Sequence, residues 1–401
     1  MVRGNKTDLI RYKKVDKLNA ENLLLLKEYP KKHGLRQKGC IYYGIRVELV
    51  RTFKRYKNSQ QSYGQKIMKE RNILIDNIKS ILIILVVLGH FGSSGSVIYN
   101  TFIIFIFSFH MPLFLFISGY LSKNVEKCRK KAVTEYLLLF IIAQLLWVLY
   151  KVVVEKDFYY FFNMLEPGFG LWYILSIFVY RILLKDLVRI KHIVIISAVA
   201  SVLIMTLVNI QHFLDIQRIV GFLVYFLIGY YTDENTINKI KKIPPYLAAI
   251  GLGAVFAVFY IILDKKILNY GFFLRFLEHQ AAIYDFSNIF IGLAIYIFII
   301  PASLLIGSLV IAMIPRKEMW FTYIGEDTLP LYLSHTYGVA LYREFLREVV
   351  IDSNSIAAFI VLCSCICIVL FSSKVYRKKF HFCKDKIVTL ITGLCKKMLI
   401  Q

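Results

Sequence analysis

The sequence is short of several things, and each shortage narrows the function. It has seven cysteines in 401 residues, with no CxxC pair and no metal-ligand spacing, so no metal is expected. Cys363, Cys365 and Cys367 alternate inside an apolar run, which reads as soft packing. Cys383 and Cys395 stand in a basic tail. Acidic residues are scarce, 26 Asp and Glu against 50 Lys and Arg, for a formal net charge of +24. That excess invites a nucleic-acid partner. The basic residues, however, cluster between apolar runs and at the two ends, as they do in the cytoplasmic loops of membrane proteins, so nucleic acid is excluded. No signal peptide precedes the first apolar run near Ile73, so the first helix is expected to act as its own insertion signal. There is no internal repeat and no pair of halves with matching broken helices, the pattern of an inverted-repeat transporter.

Hydrophobic residues are abundant, at 58% of the chain with a mean hydropathy of +0.59. Long apolar runs recur, so the expected fold is all-α, a multi-pass helical bundle in the cell membrane and in contact with its lipid. Ten spans are predicted, at about 73–92, 98–121, 133–154, 170–184, 193–210, 217–232, 246–263, 286–314, 321–341 and 355–373. Basic links follow the even-numbered spans, which places both termini in the cytoplasm. The link 264–285 is the exception. It is predicted outside, carries mixed charge and is long enough to fold over the outer face. Three parts follow: a basic extension over 1–70, a transmembrane domain over 71–375 and a basic cytoplasmic tail over 376–401. Within the extension, Ile41 to Tyr56 reads either as a basic amphipathic helix on an anionic leaflet or as a solvated arm.

The chain is organised around Arg71 to Ser122. Two apolar runs are joined by a short Gly/Ser-rich turn, and each run carries a histidine, His90 and His110. Ionisable side chains inside membrane helices are costly and point to function. Lys79 and His90 are eleven residues apart, hence on nearly the same helical face and about three turns apart. Asp76 lies one turn before Lys79, where a local ion pair can form. Pro112, two residues after His110, removes a backbone donor and can open the helix there. Ser118-Gly119 reads as a packing surface for a neighbouring backbone. Thr328, Tyr332 and His335 form one polar stripe in the ninth span, with Glu326 and Asp327 at its beginning as a helix amino-terminal pair.

The runs DNIKSILIILVVLGHF and SFHMPLFLFISGYL resemble the membrane acyltransferase-3 family, with the nearest likeness in its fucose 4-O-acetylase-like branch. GLWYILSIFVYRIL, RIVGFLVYFLIGYY and YIGEDTLPLYLSH extend the resemblance over roughly residues 70 to 375. It implies an O-acetyltransferase that moves acetyl from acetyl-CoA to a hydroxyl of a surface polysaccharide or its lipid-linked precursor. Such transfer needs a base for the hydroxyl proton and a held thioester. His90 is the first candidate, as base or transient acyl carrier. Lys79 and Asp76 would orient the site or the donor, and His110 and His335 would line the site or share the chemistry. Arg71, Lys127, Arg129, Lys130 and Lys131 offer an anionic donor a dock, although the family often has two spaced arginines where KCRKK has one, and lysine grips phosphate differently. Trp172 matches the family's LW segment and is either an interface anchor or a wall of the acceptor groove, and Tyr332 and Thr328 are further acceptor contacts. A transporter or flippase of a lipid-linked sugar is the competing reading; a receptor or scaffold would need neither histidine.

Overall fold

The computed structural model describes residues 72–91, 96–206, 213–280, 288–348 and 353–400. The proposed amino-terminal extension, its amphipathic stretch and Arg71 lie outside them. The described residues are helical and contain no strand. In chain order the helices are α1 (Ile73–His90), α2 (Val97–Phe107), α3 (His110–Tyr120), α4 (Val125–Ala132), α5 (Leu138–Val153), α6 (Tyr159–Phe162), α7 (Trp172–Leu187), α8 (Ile193–Leu203), α9 (Ile216–Tyr231), α10 (Glu234–Ile240), α11 (Pro245–Asp264), α12 (Tyr270–Leu277), α13 (Ile289–Met313), α14 (Thr322–Glu326), α15 (Leu329–Glu348), α16 (Ser353–Ser372) and α17 (Lys374–Ile400).

Five stretches are long and apolar enough to cross a bilayer: Ile73–His90, Val97–Tyr120, Val125–Val153, Pro245–Asp264 and Ile289–Met313. A sixth is the pair Phe359–Ser372 and Lys374–Ile391, bent by 59°. Their outward faces carry large apolar side chains, among them Leu145, Leu149, Ile250, Val258, Phe290 and Phe298. Exposed apolar surface on that scale suits hydrocarbon and not water. The molecule is a helical membrane protein.

Two predicted spans are broken, each by a proline. Pro112 has no N–H for the Ser108 carbonyl, and its ring would crowd that carbonyl. The second span therefore parts at Ser108–Phe109, and His110 opens a new helix. Pro330 stands in the same relation to Glu326, and the ninth span parts at Asp327–Thr328. This corrects the expectation that Glu326 and Asp327 begin the span. Glu326 closes the short helix α14, and Asp327 sits in the break, where its carboxylate bonds His381 of α17 at 2.5 Å.

The inner helices approach closely where side chains are missing. A Cβ at Gly119 of α3 would lie 1.9 Å from the Phe226 carbonyl oxygen of α9, and one at Gly229 would lie 1.9 Å from the Phe116 carbonyl oxygen. Two backbones thus touch through paired glycines, as the ISGY segment suggested. At the first end of α1, Asn77 donates to the carbonyls of Pro315 and Lys317 at 2.8 and 2.9 Å and accepts from Thr322 at 2.5 Å. Ser80 accepts from the Gly325 N–H at 2.7 Å and donates to the Phe321 carbonyl at 2.9 Å. These buried bonds fasten α14 to α1. Lys241 caps the end of α13 by donating to the carbonyls of Ala312 and of Ile314 just beyond it, both 2.6 Å away.

Candidate functional site

Three histidines from three helices meet. His90 ends α1, His110 begins α3, and His335 lies in the second turn of α15. The His90 and His335 rings stack with centroids 5.5 Å apart, and His110 stands edge-on to His90 at 6.4 Å. Phe169 and Phe107 press against the His90 ring at 4.8 and 5.5 Å. His110 and His335 are buried, while His90 is partly exposed.

Local structure fixes two of the three tautomers. His110 bonds a carbonyl of the helix that ends just before the break at Phe109, and His335 bonds one a turn back within α15. His110 Nδ1 lies 2.9 Å from the Ile106 carbonyl, so Nδ1 carries the proton and donates. His335 Nδ1 likewise donates to the Tyr332 carbonyl. In both rings Nε2 is buried and has no protein partner among the described residues. Each neutral imidazole therefore offers an Nε2 lone pair to whatever enters beside it. His90 carries no such tether among the described residues, which leaves its ring free to exchange a proton with a ligand.

A narrow cavity of ≈ 20 Å³, room for about one water, opens onto this cluster and is lined by His90, His110, Gly170, Trp172, Glu278 and Tyr332 among others. The Tyr332 hydroxyl donates to the Gly170 carbonyl, where the chain turns with a φ of 77°, a conformation glycine adopts without strain. That bond ties the link before α7 to α15 at the cavity edge. Trp172 is a wall of the cavity. It is 7% exposed, stacks on Phe222 at 5.1 Å and carries the Arg218 guanidinium 5.2 Å above its ring. Thr328 precedes α15 and is absent from the lining; its carbonyl accepts the Tyr332 N–H at 2.8 Å.

Lys79 and Asp76 pair at 2.9 Å, as their spacing allows. They do not line the His90 cavity and lie about three to four helical turns before His90. The basic run after α3 is partly neutralised. Arg129 meets Asp186 at 3.4 Å, Lys131 meets Glu135 at 2.6 Å, and Lys185 meets Glu126 at 2.7 Å. Lys127 and Lys130 are exposed and make no ion pair among the described residues, so two of the four predicted cations remain for an anion. Arg181 stacks over Tyr136 at 4.6 Å.

Two residues escaped the sequence reading, Glu278 in the cavity lining and Arg218 paired with it. Arg218 stands at the start of the span expected over 217–232, and Glu278 in the link of mixed charge over 264–285. Arg218 pairs with Asp215 at 3.2 Å and with Glu278 at 3.5 Å. Burial raises the Glu278 carboxyl above its ordinary range, Arg218 pulls it back down, and Asp215 adds to the rise. An arginine at the start of an apolar span and an acid in a link of mixed charge were the available signal. Among the described residues, no group of three His, Cys, Asp or Glu side chains could hold a metal ion.

The fold defines a polytopic membrane protein in which three imidazoles meet. An acyltransferase domain matches residues 72–373, well over half of the chain, and the protein belongs to the acyltransferase-3 family. No curated protein and no solved structure matches it. The family match supports acyl transfer within a membrane and an acyl donor as substrate.

Proposed function

We propose that the protein is an O-acetyltransferase that moves acetyl from acetyl-CoA to a hydroxyl of a cell-surface polysaccharide or its lipid-linked precursor. The meeting of His90, His110 and His335, with His90 and His110 lining one cavity and His335 stacked behind His90, supports this reading. His90, the untethered ring, is the base. It takes the acceptor's hydroxyl proton as the oxygen attacks the thioester carbonyl. The C–O bond forms, the C–S bond breaks, and the departing thiolate recovers the proton. His110 and His335, whose Nε2 atoms are buried without a protein partner among the described residues, flank His90 and set the polarity in which that proton moves.

The donor enters from the opposite end of α1. Lys127 and Lys130 supply exposed positive charge for its phosphates, and Lys79, paired with Asp76, marks the entrance. Lys79 and His90 are separated by roughly 16 Å along the helix, a span an extended pantetheine arm can cover. The basic carboxyl-terminal tail lies on the donor side, in the cytoplasm. The test is transfer of labelled acetyl from acetyl-CoA by membranes that contain the protein. Label on glycan supports the reading. Glycan transport without label supports the flippase alternative and overturns it.

A further inference from the structure

The cavity that His90 lines also carries a carboxylate, and no step of the acyl transfer described above uses it. Glu278 directly follows α12 and belongs to the link between α11 and α13. That link dips into the bundle. His279 is 1% exposed, adopts a φ of 55° and meets Phe222 of α9 edge-on at 4.4 Å. It fits because Gly221 lacks a side chain: a Cβ there would lie 2.9 Å from His279 Nδ1. The position of Glu278 is therefore set by packing on both sides of it.

Arg218 sets its orientation. The guanidinium donates through Nε to the Glu278 carbonyl at 3.3 Å, through Nη2 to its carboxylate at 3.5 Å and through Nη1 to Asp215 at 3.2 Å. Trp172 supports the guanidinium from below. Two carboxylates share one cation, and Glu278 receives the longer contact. A carboxylate has about four acceptor positions, and one long bond uses little of that capacity. The Glu278 side chain keeps 24% of its surface, against 9% for Asp215, so it is the carboxylate of the pair that a ligand can reach. A partly desolvated carboxylate calls for hydrogen-bond donors, and a neutral sugar presents hydroxyls in adjacent pairs.

We propose that Glu278 is an acceptor-binding residue. It accepts a hydrogen bond from the hydroxyl next to the one His90 deprotonates, and its charge turns away sugars that carry a carboxylate at that place. Arg218 is the positioning residue that aims it. The assignment rests on the acetyltransferase reading and names the acceptor ring as neutral.

The experiment uses the whole protein in membranes, labelled acetyl-CoA, and surface glycan stripped of its esters by mild base as the acceptor probe. Glu278→Gln should raise the KM for stripped glycan tenfold or more, with the KM for acetyl-CoA and kcat within twofold of wild type. Arg218→Lys should shift the same constant in the same direction. In the wild type, hydrolysis and mass spectrometry of the product should place label on neutral residues. Three results overturn the assignment: an unchanged glycan KM in Glu278→Gln, a fall in kcat with that KM unchanged, or label on uronic or sialic residues. The residue mapping needs no variant and stands if Glu278→Gln fails to accumulate. Absence of label from wild-type product would instead overturn the acetyltransferase reading and remove the acceptor site with it.

Discussion

His90 and His335, on helices from opposite ends of the domain, stack their imidazole rings at 5.5 Å with 30° between the planes. Two imidazoles in that arrangement cannot both carry charge cheaply, because like charges at this distance repel strongly where water is scarce. The cluster thus holds at most one such charge cheaply, the proton His90 takes from the acceptor. Removing His335 should therefore do more than empty a space. His335→Ala and His110→Ala should each lower kcat, and the double variant His90→Ala/His335→Ala should be little worse than His90→Ala alone, since groups that act as a unit are not additive. Single-turnover rates with labelled acetyl-CoA check this.

The entry end of α1 separates structure from donor binding. Asn77 makes three bonds to α14 and the segment before it, the one to Thr322 fully buried, and Asn77→Ala leaves buried groups unpaired, at about 1–3 kcal/mol for a fully buried one. Lys79 is paired only one turn away and faces the proposed donor entrance. Asn77→Ala should lower the thermal midpoint of the solubilised protein. Lys79→Met should leave the midpoint near that of wild type and raise the KM for acetyl-CoA.

The paired glycines of α3 and α9 give a packing prediction. Gly119→Ala would place a Cβ 1.9 Å from a backbone oxygen, and a backbone cannot step aside as a side chain tip can. Overpacking of this kind costs about 1–3 kcal/mol or more. Gly253→Ala on α11, where nothing lies within 4 Å, should be neutral or slightly stabilising by its helix preference. Thermal unfolding of the two variants side by side distinguishes them.

Much of this frame could be read from the chain. Apolar runs of membrane length announce helices because an unpaired backbone is so costly in lipid, and the α1 spacing placed Lys79 beside Asp76 correctly. Pro112 signalled a local opening. Pro330 carried the same information, yet the acids before it suggested a helix start, and the chain breaks there instead. The meeting of His90, His110 and His335 was not legible, because periodicity fixes the face of a residue on its own helix and not which helix it faces. Arg218 and Glu278 were hidden for a related reason. A polar link reads as solvated, and only tertiary packing shows that the link after α12 turns back to seat His279 against Gly221.

The Glu278 carboxyl gives a pH prediction. Burial holds it above its ordinary value of about 4.3, so on acidification it takes up a proton sooner than a free carboxylate. The protonated group loses its charge, its hold on Arg218 and its strength as an acceptor. The glycan KM should therefore rise as pH falls, starting above the ordinary carboxylate range, and Glu278→Gln should flatten that dependence. Asp215, Arg218 and His279 stand beside Glu278, and His90 shares its cavity. Titration of His90 appears in kcat, so the two constants are read separately.

The most direct measurement is the rate of labelled acetyl transfer to stripped glycan by membranes that carry His90→Ala at wild-type protein level. A positioned base contributes on the order of 10²–10⁴-fold, and a loss in that range is predicted. Transfer within twofold of wild type would contradict the account.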